Sequence, residues 1–232
     1  MARKVISLIL TAFLAVSVMG CNKALGDSSS KETNSETSDI EEKAEDDDLE
    51  GEWAKTLNLE DTKSKFEENL KEIEKVTDIF GIEYKKDEKS KTDNDIQIND
   101  KYIYFDNKDP EDNRIESMYF GMKTYGDDLS EGDISLKISL KINVDQIKKD
   151  SNFKFEDTSC KSYIESFSKQ KDIDFSDIDK EIVQKIKDGE LPSQITDTVN
   201  GLKEEFLIDD DYIIYTLSTK KYKFADAEMS ME

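Results

Sequence analysis

The sequence predicts an α+β domain: an antiparallel meander sheet of about four to five strands with helices packed on one face. Ile134, Leu136, Ile138, Leu140, Ile142 and Val144 alternate strictly with Ser135, Lys137, Ser139, Lys141 and Asn143. That is the pattern of an antiparallel strand with one buried face and one wet face. Leu59, Phe66, Leu70, Ile73, Val76 and Phe80 recur at three- and four-residue spacing, the period of a helix with one apolar stripe. Further strand-like runs flank the first pattern, and further helix-like runs follow it.

The elements are read in chain order. Asn58 is the N-cap and Gly81 the stop of a helix over 59–80. Residues 86–95 are a polar loop. Strands follow at 96–105, 114–125 and 133–144, separated by the turn-rich segments 107–113 and 126–132. A helix is expected at 158–169. Another is expected at 177–188, capped by Ser176 and stopped by Gly189 and Pro192. Ile195, Val199, Leu202 and Phe206 then suggest a helix over 193–206, and Tyr212–Thr219 a last strand that runs on towards Phe224. No internal repeat stands out.

The chain opens with Met-Ala-Arg-Lys, an apolar run from Val5 to Val18, and Val18-Met19-Gly20-Cys21. Arg3 and Lys4 form a positive n-region, and the run is short for a membrane span but sufficient for a signal peptide. The last four residues resemble the lipobox of bacterial lipoproteins. The resemblance implies cleavage before Cys21 and a diacylglyceryl group on its thiol, hence a lipid-anchored protein on the extracytoplasmic face of a cell membrane. Residues 1–20 are then the lipoprotein signal peptide, 21–52 the lipidated cysteine and a tether, and 53–232 a single extracytoplasmic domain. Residues 22–52 hold 12 acids against 3 lysines and little apolar bulk, too little to bury a core. A flexible coil of that length spans roughly 30 Å.

Charge and composition exclude several functions. Loss of Arg3 and Lys4 would take the formal charge from −22 to −24, the wrong sign for nucleic acid or for adhesion to anionic headgroups. The chain has no histidine, so Ser-His-Asp and Cys-His arrangements and histidine-containing zinc sites are impossible. Gly121 and Gly126 carry phosphate-loop spacing, but Asp127 stands where lysine is needed. Ser-x-x-Lys recurs, as at Ser151/Lys154, Ser166/Lys169, Ser168/Lys171 and Ser218/Lys221, without its companion motifs, as a Ser- and Lys-rich composition produces by itself. The acid-rich turns at 106–112 and 172–179 lack the glycine and glutamate of a calcium loop and read as solvated turns. No cofactor or metal is expected. Once Cys21 is acylated, Cys160 is the remaining thiol, and its place beside Tyr163, Ile164 and Phe167 suits a buried, inert side chain.

The tyrosines leave two readings open. Tyr102 and Tyr104 share a strand face with Ile96 and Ile98, and Tyr119 lies opposite Met118 and Phe120. Either these strands are central and covered on both faces, or the face of Tyr102, Tyr104 and Tyr119 is open and grips a ligand or partner, as tyrosine-rich surfaces do. The expected function is a non-catalytic binding or assembly module that meets an extracytoplasmic protein or wall component. The alternative is a carboxylate-based hydrolase acting on cell-wall glycans.

Overall fold

The structure, a computed structural model, describes residues 49–224. The expected signal peptide, Cys21 and most of the expected tether lie outside the described residues. The Asn58 side chain accepts the Asp61 N–H at 2.7 Å and opens α1 (Leu59–Ile79). Gly81, at φ +67°, ends it, as expected of a left-handed helix stop.

Four strands form the first meander: β1 (Lys85–Asp93), β2 (Ile96–Asp106), β3 (Ile115–Tyr125) and β4 (Glu131–Lys141). β1 replaces the expected polar loop. It carries no apolar residue and every position is exposed. Its pairing comes from β2, which offers a ladder from Lys85↔Tyr104 to Asp93↔Ile96. Asn94 and Asp95, both at positive φ, form the two-residue turn that matches the twist of a hairpin.

β4 stops three residues before the alternation does. The Ile142 N–H turns away to Asp211 O at 2.8 Å, and the Asn143 side chain accepts the Gln146 N–H at 3.0 Å. Val144 therefore begins a helix, α2 (Val144–Asp150), where the sequence pattern continued a strand. A 3-10 turn (Phe155–Asp157) leads to α3 (Cys160–Ser168) and α4 (Ser176–Asp188). Ser176 is the first residue of α4 rather than its cap, and its N–H donates to Asp174 Oδ1 at 2.9 Å.

The expected helix over 193–206 is a hairpin, β5 (Ser193–Val199) and β6 (Leu202–Ile208). Asn200 and Gly201, at φ +51° and +83°, make the turn between them. β7 (Tyr212–Ser218) and β8 (Tyr222–Lys223) complete the sheet. Both lie along β4, separated by residues 219–221, where the Ile134 N–H donates to Thr219 Oγ1 at 3.0 Å. The last expected strand thus does run on towards Phe224, in two pieces.

The result is an α+β fold with one antiparallel sheet of eight strands, more than the four to five expected. Its order is β1-β2-β3-β4-β7-β6-β5, with β8 pairing β4. Two meanders meet where β7 pairs with β4, and α1 and α3 pack on one face. There Phe66 of α1 stacks on Phe120 of β3 at 5.5 Å, and Phe167 of α3 meets the same ring edge-on at 5.2 Å. Phe155 packs on Phe206 and Tyr215 at 5.2 and 5.5 Å. Cys160 is buried in this layer, and burial pushes its thiol up to about 12.

Trp53 ties the start of the domain to its end. Its N–H donates to Asn200 O at 3.1 Å, and its carbonyl accepts the Tyr222 hydroxyl at 2.8 Å. Its ring meets Phe167 edge-on at 5.2 Å, with Lys65 Nζ 4.9 Å from its centroid. The first described residues therefore lie beside the β5–β6 turn. Among the described residues no helix is long and apolar enough to cross a membrane.

Candidate ligand-binding face

Period-two alternation sends one set of side chains to the helices and the other to the opposite face. Register places Tyr102 and Tyr104 of β2, Tyr119 of β3, and Lys137 and Ser139 of β4 on that opposite face. β7 adds Tyr212 and Ile214. Ile103, Phe105, Phe120, Ile138 and Leu140 point the other way and are at most 2 % exposed. A groove of about 1070 Å³ runs across the helix-free face, and side chains of β1, β2, β3, β4 and β7 line it.

The structure brings the three sequence-predicted tyrosines together. Tyr102 has its ring 6.0 Å from Tyr104 and 5.4 Å from Tyr119. It is also the most deeply set, at 9 % exposure, whereas the other two are half-buried. Tyr104 and Tyr119 stand directly opposite each other in the ladder, and Lys137 follows Tyr119 on the next strand. These three side chains form one row across β2, β3 and β4. The strands are thus interior to the sheet, but the tyrosine side carries no helix.

Most polar groups of this face are already satisfied by neighbours. The Tyr119 hydroxyl donates to Asp100 Oδ1 at 2.6 Å, and the Tyr125 hydroxyl donates to Asp133 Oδ2 at 2.6 Å. Burial first, then the adjacent carboxylate, holds both phenols well above the usual tyrosine range. Burial also raises the Asp133 carboxyl, against the opposing pull of the Tyr125 hydroxyl and Lys123. Lys89 Nζ donates to Tyr102 Oη at 2.6 Å and pairs with Asp87 at 3.1 Å. Those two bonds, the one to Tyr102 first, raise the ammonium, and the Lys89 bond and then the Glu88 N–H lower the Asp87 carboxyl. Ser139 Oγ donates to Glu116 Oε2 at 2.7 Å; Glu116 sits at the one register shift between β3 and β4.

Sequence reasoning did not single out Lys137, Ser139, Ile214 or Gly121 as part of a site. The alternation over 133–144 did place Ser135, Lys137 and Ser139 on a wet face. What it could not show was that β3 would set Tyr119 opposite Lys137, or that β7 would set Ile214 opposite Ser139. Among the described residues no group of three or more acidic or cysteine side chains is arranged to hold a metal ion. No family model, no curated protein and no solved structure matches the chain.

Proposed function

We propose that the protein is a lipid-anchored, extracytoplasmic lipoprotein whose domain is a non-catalytic binding or assembly module, and that it meets its partner through the helix-free face. The observation that carries this reading is the groove over Tyr104 and Tyr119, with apolar rings, hydroxyls and charges set side by side. Sites of that composition bind by burying rings and orienting the ligand with a few polar groups. The anchor part rests on Val18-Met19-Gly20-Cys21 and the acidic tether after it.

Cross-linking of intact cells that carry the tagged full chain tests it, with Tyr104→Ser and Cys21→Ser chains in parallel. A co-purifying partner that is lost in the Tyr104→Ser chain supports the face. A partner list unchanged by that substitution overturns it. Metabolic labelling with an alkyne fatty acid should mark the full chain and leave the Cys21→Ser chain unmarked; equal labelling would overturn the anchor.

One observation favours a second reading, a hydrolase acting on cell-wall glycans. Asp100 and Asp133 stand on either side of Lys123 in adjacent strands, two strand spacings or roughly 10 Å apart. That lies at the wide end for a pair of glycosidase carboxyls. Each, however, accepts a tyrosine O–H on one oxygen. Turnover of wall glycan by the purified full chain, abolished in an Asp133→Asn chain that still folds, would favour the hydrolase over the binding module.

A further inference from the structure

Three lysines line the groove: Lys89, Lys91 and Lys137. Lys89 pairs with Asp87 at 3.1 Å and Lys91 with Asp93 at 3.9 Å. Lys137 makes no ion pair or hydrogen bond among the described residues, although it sits on an interior strand between β3 and β7. In a chain with 55 acidic residues, the exposed ammonium of Lys137 is a cation of the groove that no carboxylate among the described residues pairs with, and it is open to an anionic ligand. The groove is also the place where apolar surface adjoins that cation, with Tyr119 directly across the ladder on β3 and Ile214, the partner of Ser139, diagonal to it on β7.

From this juxtaposition we infer that the groove takes the free C-terminal carboxylate of a peptide that ends in an apolar residue. The carboxylate rests on Lys137 Nζ, and the terminal side chain lies against Tyr104 and Tyr119. The inference rests on the binding-face reading above and deepens it by naming the ligand class. A single ammonium suits a monoanion. A phosphate dianion calls for several converging donors, and Asp100, Asp106 and Glu116 around the same groove repel a dianion more strongly than a single carboxylate. A volume of about 1070 Å³ exceeds what one amino acid fills, so several residues of an extended peptide fit along the face. The Tyr104 hydroxyl, which has no hydrogen-bond partner among the described residues, is available to a backbone carbonyl of that peptide.

The test is calorimetric titration of the full chain with acetyl-Ala-Ala-Leu as the free acid, as the C-terminal amide, and with inorganic phosphate as a third probe. The free acid should bind roughly tenfold or more tightly than the amide, the ratio set by one charge-assisted hydrogen bond. Lys137→Gln should remove that preference by weakening the acid far more than the amide, at an unchanged thermal midpoint. Tyr104→Ser should weaken acid and amide alike. Equal binding of acid and amide, or an acid preference that survives Lys137→Gln, overturns the carboxylate site. If Tyr104→Ser still weakens binding in that case, the face as a binding surface stands. Phosphate competing as well as the acid, or no heat from the acid at concentrations up to about 10 mM, a Kd at which binding is negligible, also overturns the carboxylate site. The cross-linking experiment then decides separately whether the face binds a partner at all.

Discussion

The ring of Tyr119 lies over Gly121. A Cβ at position 121 would stand 2.3 Å from Tyr119 Oη, 2.6 Å from its Cζ and 2.8 Å from Tyr102 Cβ. Glycine is needed here for space and not for backbone freedom. Its bare backbone is what lets the phenol lean along β3 and reach Asp100.

Gly121→Ala should therefore push the Tyr119 ring off its seat and break the hydrogen bond to Asp100. The expected cost is about 1–3 kcal/mol, typical of overpacking a filled site, measured by urea denaturation. The same variant should weaken groove binding while leaving the core contacts of Phe120 intact. A fully stable variant with unchanged binding would show that the ring has room to spare.

Tyr222 anchors the first turn of the domain from the far end of the chain. Its hydroxyl donates to the buried Trp53 carbonyl at 2.8 Å. Tyr222→Phe leaves that carbonyl without its donor at an expected cost of about 1–3 kcal/mol. Trp53 is the only tryptophan, so its fluorescence reports the same event directly. The emission should shift to the red at lower denaturant in the variant than in the parent chain.

Asp179 makes stability depend on mild acid. Its Oδ1 accepts the Phe155 N–H at 2.7 Å, and burial pushes its carboxyl up to about 6. In the unfolded chain an aspartate titrates near about 3.9. Between those values the folded state holds a proton that the unfolded state has released, so stability falls as pH rises from about 4 to about 6 and stays lower above. Asp179→Asn keeps an acceptor for Phe155 without the charge. It should be the more stable protein at pH 7 by about 1–2 kcal/mol, and the gap should close as pH approaches about 4. Parallel stability curves for the two proteins across that window would refute the assignment.

Cys160 should be inert in the folded protein. It is fully buried and its thiol is pushed up to about 12, so both thiolate and access are lacking. In a Cys21→Ser chain it is the sole thiol. A disulfide reagent at pH 8 should label it roughly hundredfold or more slowly than in urea, limited by opening of the structure. Rapid labelling of the native chain would place Cys160 at a surface instead.

The hairpin of β5 and β6 shows how a sequence pattern can point to the wrong element. Ile195, Val199, Leu202 and Phe206 are spaced four, three and four residues apart, which is helical spacing. In the structure Val199 pairs with Leu202 and Ile195 with Phe206, all on the helix-covered face. A two-residue turn shifts the alternation by one position as the chain reverses, so two strands joined by Asn200-Gly201 imitate an amphipathic helix. The Asn-Gly pair itself was the signal that separates the two.

What the sequence by itself determined is what its local pattern encodes. The alternation over 134–140 made β4 a strand with one wet face, the apolar stripe with Asn58 and Gly81 bounded α1, and the absence of histidine removed whole classes of chemistry. Only the tertiary structure decided that Lys85–Asp93 is a strand, since its polar residues carry no period and its order comes from the ladder β2 offers. It alone decided which face the helices cover, and so that Tyr104, Tyr119 and Lys137 form one row in a groove. Local period fixes which residues share a face of their own strand. The register between strands far apart in sequence fixes which faces meet, because that register is set by hydrogen bonds and packing that no single segment contains.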